Sequence, residues 1–321
     1  MIEKIFSNGD SFPLMGLGTW LSKPNEVYEA VLSAIRVGYR HIDCASIYGN
    51  EKEIGSALNY AFTTSLVKRD EMFITSKLWN NCHEPEQVKP ALRKTLSHLQ
   101  LDYLDLYLMH WPIAFKYNCV NVKNAEDLLP LTEIPLEWTW EAMVKLKEAG
   151  LVKHVGVSNF SIPKLKLLID KTGVVPEMNQ VEIHPYLNQE ELVTFCNQNS
   201  ILLTAYSPLG SRHLIAGEGS ITNEETIIAI AQKHKCAESQ VLLAWGIMRG
   251  VAVIPKSVNA ERILNNFEAI NIELDQEDME RINKLNRNMR MSKAMFAIIN
   301  NGSYTYSNIW DEPRTFTSVA K

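Results

Sequence analysis

Short apolar, β-branched runs alternate with amphipathic stretches along nearly the whole chain, the pattern of parallel strands joined by helices. Strand candidates begin near Met15, His41, Met72, Tyr103, His154, Met178, Leu202 and Val251. Ahead of them, Glu3-Lys4-Ile5-Phe6 and Ser11-Phe12-Pro13-Leu14 flank a turn and predict a hairpin. The helix predicted over 25–37 places Val27, Ala30, Val31, Ala34 and Ile35 on one face, a stripe suited to packing on a sheet. Asn25 is its expected cap and Gly38 its expected stop. Further helices are predicted over 51–64, 85–99, 137–149, 161–171, 189–199, 223–235, 239–248, 259–269 and 276–285. A minimal set of eight βα units needs fewer, and 239–248 and 276–285 read as the surplus.

Two architectures fit this alternation, a closed eight-stranded barrel and an open doubly wound sheet. A dinucleotide-binding doubly wound sheet calls for G-x-G-x-x-G after its first strand. The nearest match, Gly16-Leu17-Gly18-Thr19-Trp20-Leu21, has Leu at the last position. A barrel instead collects chemistry at the C-terminal ends of its strands, and three successive apolar runs end in Asp43, Lys77 and His110. The expectation is an α/β protein, a (β/α)8 barrel with an N-terminal β-hairpin and additional helices. No linker divides it, so 1–321 reads as one domain with a C-terminal tail from about 286.

With 321 residues, 46% of them hydrophobic, the chain can bury one large core. A net charge of −5 with scattered Lys and Arg gives no electrostatic footprint for nucleic acid. Neither a signal-like N-terminus nor an apolar run of bilayer length is seen, so no membrane partner is expected. Cys44, Cys82, Cys119, Cys196 and Cys236 are widely spaced and read as reduced thiols of a cytoplasmic protein. No His, Asp or Glu grouping has metal-ligand spacing, and no metal is expected. The expected partner is a small molecule.

The densest chemistry lies in Gly38-Tyr39-Arg40-His41-Ile42-Asp43-Cys44-Ala45-Ser46-Ile47-Tyr48-Gly49-Asn50-Glu51-Lys52-Glu53-Ile54-Gly55, where an acid ends an apolar run and a tyrosine follows five residues on. A phenol can protonate a carbonyl only if its pKa of about 10 is lowered. Lys77, in Thr75-Ser76-Lys77-Leu78-Trp79, and His110, in Met109-His110-Trp111-Pro112, are the polar ends of later runs. Segment 38–55 resembles, along its whole length, the signature around the catalytic tyrosine of the aldo-keto reductases. Ile254-Pro255-Lys256-Ser257-Val258-Asn259-Ala260-Glu261-Arg262 is similar to that family's second strong motif.

The resemblance runs from Gly16 to about Arg290 and implies a catalytic tetrad of Asp43, Tyr48, Lys77 and His110. Tyr48 would be the general acid, with Lys77 depressing its pKa, Asp43 holding Lys77, and His110 orienting the carbonyl. The implied activity is NADPH-dependent reduction of an aldehyde or aldose by a monomer. Thr19, Trp20 and Asp43 would flank the cofactor, Ser158, Asn159 and Gln180 would hold its carboxamide, and Tyr206 would stack on its ring. Ser207, Leu209 and Ser211 would meet the pyrophosphate. Lys256, Ser257, Asn259 and Arg262 would meet a 2′-phosphate, with Glu261 the nearby acid, and Asn265 and Asn266 would face adenine. Trp20, Ile47, Tyr48, Trp79, His110 and Trp111 would form the substrate pocket. The loop after the fourth strand and the tail over 292–321 would tune it; apart from the resemblance, the two glycines of 212–219 suggest that this loop closes over the cofactor. Two other readings stay open: a cofactor-binding regulatory or structural protein on this scaffold, and a polyol dehydrogenase running in the oxidative direction.

Overall fold

In the computed structural model, which describes residues 2–211 and 220–312, the chain opens with an antiparallel hairpin of β1 (Glu3–Ile5) and β2 (Ser11–Pro13). Four parallel strands follow, β3 (Gly16–Gly18), β4 (His41–Asp43), β5 (Phe73–Leu78) and β6 (Leu104–Met109). After a small antiparallel pair, β7 (Ala114–Phe115) with β8 (Leu128–Leu129), come β9 (Val152–Ser158), β10 (Met178–Glu182), β11 (Leu202–Tyr206) and β12 (Ala252–Val253). The eight-stranded sheet runs β3-β4-β5-β6-β9-β10-β11-β12, and parallel bridges from Met15 to Val253 and Gly18 to Lys256 bring its two edges together.

That seam explains the glycine pair. A Cβ on Gly16 would meet His41 Nδ1 at 2.5 Å, and one on Gly18 would meet the Ile254 carbonyl at 2.6 Å. Gly18 therefore serves barrel closure against Ile254, while Gly16 leaves room for the His41 ring on the adjoining β4 and, at 3.0 Å, for the Ile254 side chain across the seam, so close packing accounts for the pair without a phosphate.

The surrounding helices are α1 (Val27–Val37), α2 (Glu51–Thr63), α3 (Pro85–Leu99), α4 (Leu136–Glu148), α5 (Ile162–Thr172), α6 (Glu190–Gln198), α7 (Glu225–His234), α8 (Glu238–Met248), α9 (Ala260–Glu268), α10 (Gln276–Asn283) and α11 (Tyr306–Trp310). Gly38 ends α1 as expected, at φ 119° with its N–H on the Ala34 and Ile35 carbonyls. Asn25 does not cap it. Its backbone is left-handed at φ 68° and its N–H donates to Glu53, while Glu26 occupies the cap position but its carboxylate accepts from Lys23 N rather than capping the helix.

The surplus helix in the β11–β12 connection is also not the expected one. Helix α8 packs on β12 and α9 and buries residues 240–247 on every side, whereas α7 packs on α8 and α10. An all-apolar helix belongs against the barrel, and the amphipathic α7 covers it.

Every residue of β5, β6 and β10 is buried, as parallel strands between a packed interior and a helical shell must be. A second apolar cluster, with Trp111, Phe115, Leu128, Tyr304, Ile309 and Trp310, joins the β7–β8 loop to the C-terminal segment. Tyr304 fastens the two, its hydroxyl accepting from Ala114 N at 2.8 Å and donating to the Leu129 carbonyl at 2.7 Å. Neither β7–β8 nor α11 was anticipated from the sequence, because each is too short for periodicity to register.

Candidate active site

At the C-terminal ends of the strands the barrel opens into a cleft of about 1190 Å³. Asp43, the last residue of β4, and Lys77, in β5, meet behind its floor. Lys77 Nζ donates to Asp43 Oδ1 at 2.5 Å and to the Cys44 carbonyl at 2.8 Å, and lies 3.5 Å from the Tyr48 hydroxyl. Gln180 Nε2, from β10 across the barrel, donates to the other Asp43 oxygen at 2.7 Å. Thr19 Oγ1 donates to the Asp43 carbonyl at 2.8 Å, fixing the strand end itself. Tyr48 reaches the cluster because a short 3-10 turn, Ser46–Tyr48, follows β4 and stops at Gly49 in the left-handed conformation.

Burial alone would strip Lys77 of its proton, but Asp43, Tyr48 and the Asp43 hydrogen bond outweigh it and hold the ammonium above its ordinary pKa. For Tyr48 the balance runs the other way. Burial raises the phenol, and the Lys77 charge only opposes that rise, so the net shift is upward. The expectation of a depressed tyrosine pKa is corrected here: desolvation of a phenolate exceeds what one ammonium at 3.5 Å returns, so Lys77 limits the rise and is placed to act on the phenolate as the proton leaves rather than by lowering the resting value. His110, at the end of β6, is pushed well below the ordinary imidazole value by burial, then by Lys77 and His83. It is a neutral ring whose Nδ1 is buried with no partner among the described residues and which lines the cleft.

Trp79 stands edge-on to His110 at 5.2 Å between centroids, and Trp111 edge-on to Phe296 at 5.2 Å. With Trp20 and Ile47 they give the cleft an apolar wall around the Tyr48 hydroxyl. The adjoining wall is polar. Ser158 Oγ donates to the Gln180 carbonyl, Asn159 Nδ2 donates to the His110 carbonyl at 3.0 Å, and the Tyr206 hydroxyl donates to Asn159 Oδ1 at 2.7 Å. Asn159 holds φ 65°, a left-handed backbone that asparagine tolerates and most side chains do not. Ser207, Leu209 and Ser211 continue this wall toward Lys256 and Arg262, and Thr19 and Trp20 face it. Lys77 lies behind the lining, fully buried.

The structure does not bring Ser257, Asn259, Asn265 or Asn266 to the cleft lining. Ser257 Oγ accepts from Asn259 N, Asn259 caps α9 by accepting from Arg262 N at 2.9 Å, and the Asn265 carbonyl accepts from Gln240. Asn259 thus aims the first turn of α9, and Arg262 with it. Around Lys256, burial lowers the pKa, Glu26 opposes and Lys23 adds. Glu26 is therefore an acid within electrostatic reach that the sequence, which offered only Glu261, did not reveal.

The model of the aldo/keto reductase family matches residues 14–287. The chain belongs to the aldo-keto reductase family. It is 49% identical to the aldo/keto reductase slr0942 of Synechocystis sp., over 95% of both chains. It is 44% identical to aldo-keto reductase family 1 member A1 of Homo sapiens, over 92% of both. The structure of the aldose reductase from Schistosoma japonicum superposes with a TM-score of 0.85 at 39% identity, covering 92% of this chain and 96% of that one. This aldo-keto reductase is an NAD(P)-dependent oxidoreductase acting on carbonyl or alcohol groups.

Sequence reasoning missed part of the reductase's cleft. The tail over 292–321 was expected to tune the pocket without its contacts being assigned; Ser292, Lys293, Ala294, Met295 and Phe296 of that tail line the cleft, together with Met291, which lay just outside the expectation. Behind them Glu182, fully buried at the end of β10, accepts hydrogen bonds from the Met291 and Ser292 amides. One signal pointed to it: Gln180 and Glu182 are two apart on a strand and so share a face. The expected lid over 212–219 lies outside the described residues, as does the tail beyond residue 312. No helix among the described residues is long and apolar enough to cross a membrane.

Proposed function

We propose that the protein reduces an aldehyde, including open-chain aldoses, to the alcohol with NADPH, and that Tyr48 delivers the proton. The observation that carries this reading is the Asp43–Lys77–Tyr48 chain, in which a buried, charge-paired ammonium faces a phenol at the floor of an apolar cleft. When bound, the reduced nicotinamide supplies the hydride. The residues fit such a group. Gln180 Oε1 and the second lone pair of Asn159 Oδ1 remain as acceptors for a carboxamide, and the Tyr206 ring lines the same stretch of wall.

As charge develops on the carbonyl oxygen, the Tyr48 hydroxyl donates to it, and Lys77 stabilises the phenolate left behind. Asp43 and Gln180 keep Lys77 aimed. His110, neutral and carrying its proton on Nε2, donates to the same oxygen and fixes which side of the carbonyl faces the cofactor. Lys256 and Arg262 beside the first turn of α9 favour a 2′-phosphate, hence NADPH over NADH.

The test is consumption of NADPH and of NADH, followed by absorbance, with glyceraldehyde, xylose and 4-nitrobenzaldehyde, in the parent and Tyr48→Phe. The expected result is turnover preferring NADPH and a loss of about 10²–10⁴-fold in kcat on removing the phenol, with NADPH still bound. Binding of NADPH without turnover across the aldehydes would favour a regulatory role, and turnover unaffected by the substitution would mean another acid.

A further inference from the structure

We infer that Glu182 is a positioning residue that fixes the 291–296 wall of the cleft and couples it to the 207–211 wall, thereby setting selectivity for bulky over small aldehydes. The inference rests on the carbonyl-reductase reading above and adds a residue outside the proposed catalytic cluster.

Glu182 lies one strand step beyond Gln180, on the same face of β10, and is fully buried. Its Oε1 accepts from Met291 N at 2.7 Å and from His184 Nε2 at 2.8 Å, and its Oε2 accepts from Ser292 N at 2.7 Å. Two successive amides of an irregular segment are thus held by one carboxylate. Such charge-assisted bonds, away from water, are among the stronger restraints a loop can have. Met291 carries the restraint onward, its Sδ accepting from Ser211 N at 3.2 Å. Ser211 lines the stretch read as the pyrophosphate wall, and Met295 and Phe296 line the stretch opposite Trp79 and Trp111. Met295 is 60% exposed, and Phe296, 40% exposed, stands against Trp79 at 5.7 Å and Trp111 at 5.2 Å between centroids, so the Glu182 anchor sets the root of this wall and thereby how Phe296 meets those rings.

Glu182→Gln is isosteric but cannot satisfy the three donors. Whichever way the amide turns, its NH2 group faces an N–H donor, at Ser292 or at Met291 and His184. Small aldehydes need little of the far wall, whereas an aromatic aldehyde would pack on it. The expected outcome for E182Q is a fall of about tenfold in the ratio of kcat/KM for 4-nitrobenzaldehyde to that for glyceraldehyde, the size expected for one charged hydrogen bond. The NADPH dissociation constant should rise several-fold, through Ser211. Met291→Leu, which keeps the volume but removes the sulfur acceptor, should move the NADPH constant and leave most of the aldehyde ratio.

Amide hydrogen exchange over 288–296 supplies a reading that needs no turnover. The parent should protect the Met291 and Ser292 amides, and E182Q should lose that protection. Protection lost in E182Q while the parent reduces no aldehyde would retain the anchor and overturn the carbonyl-reductase reading. Unchanged exchange, or equal losses on both aldehydes with an unchanged NADPH constant, would overturn the inference.

Discussion

The two ends of the barrel are built from the same materials and arranged to opposite effect. At the lower end, Asp105 is buried near the start of β6, accepts from Ile74 N at 2.9 Å, and pairs with Arg69 at 2.7 Å and Lys153 at 3.0 Å. Both cations also sit over the Tyr103 ring. His154, stacked on Phe6 at 3.7 Å, bridges Asp10 of the hairpin turn and Glu177 before β10. A cavity of about 410 Å³ lies there too, lined by several of these groups. Yet the charges around His154 and Asp105 are answered by neighbours of opposite sign. At the upper end, an acid, a lysine and a tyrosine again meet, but the tyrosine hydroxyl stands at 3.5 Å from the ammonium and faces an open cleft. A cavity beside charges is not enough to mark a site; a charge pair with one contact left incomplete toward that cavity is the better signal.

The largest effect that would sharpen this comparison is Lys77→Met. If the upper cluster is poised for proton donation, kcat should fall about 10³-fold, roughly 4 kcal/mol of barrier. The melting temperature, measured alongside by circular dichroism, separates this from unfolding. A rate loss no larger than the loss of folded protein would place Lys77 with the structural charges and break the comparison.

The lower end should answer differently. Asp105→Asn removes one charge that two cations share, and both cations keep some solvent, so the expected loss is about 2 kcal/mol of stability. A melting temperature lower by several degrees with kcat/KM within twofold of the parent is the expected result. A large change in kcat/KM would show that the lower network reaches the cleft.

Much of this contrast was legible in the sequence. The alternation of buried runs gave the eight strands within a residue or two, and segment 38–55 named Asp43 and Tyr48 together because both lie on one short stretch of chain. The tail from 292 was expected at the pocket, but which of its residues line the cleft, and what anchors them, was not legible. Its backbone is irregular and carries no period, and the acid that anchors it sits over a hundred residues earlier. The pairing of Gln180 with Asp43 was hidden for the same reason, since it crosses the barrel between β10 and β4. The sign of the Tyr48 shift needed burial, which a sequence gives only on average. Glu26 beside Lys256 needed the barrel to close, since the two lie more than two hundred residues apart.

The smallest effect concerns protons and asks whether the two ends pay equally for burying imidazole. His41, at the lower end against Phe12 and Phe73, is pushed down to about 4, chiefly by burial. His83, near His110 at the upper end, is pushed down to about 3 by burial, and neither of its ring nitrogens has a partner among the described residues. The unfolded chain takes up a proton at each near pH 6.5, while the folded chain refuses it until pH falls to those values. The unfolded state therefore binds more protons below pH 6.5, and stability falls as pH falls, by about 1.4 kcal/mol per pH unit for each fully titrating histidine. Glu51, raised by burial, contributes with the opposite sign as it protonates, so differences from the parent are the quantity to read. Denaturant unfolding between pH 6.5 and 3, a range that passes through both folded values, should show a shallower pH dependence in both His41→Gln and His83→Gln. Equal reductions would mean that burial alone sets both values, as the causes acting on His83 imply. A smaller reduction for His41, which bonds Thr75 at 3.1 Å and feels Asp43 from above and Asp105 from below, would mean that these carboxylates stabilise part of the imidazolium charge where nothing does so for His83.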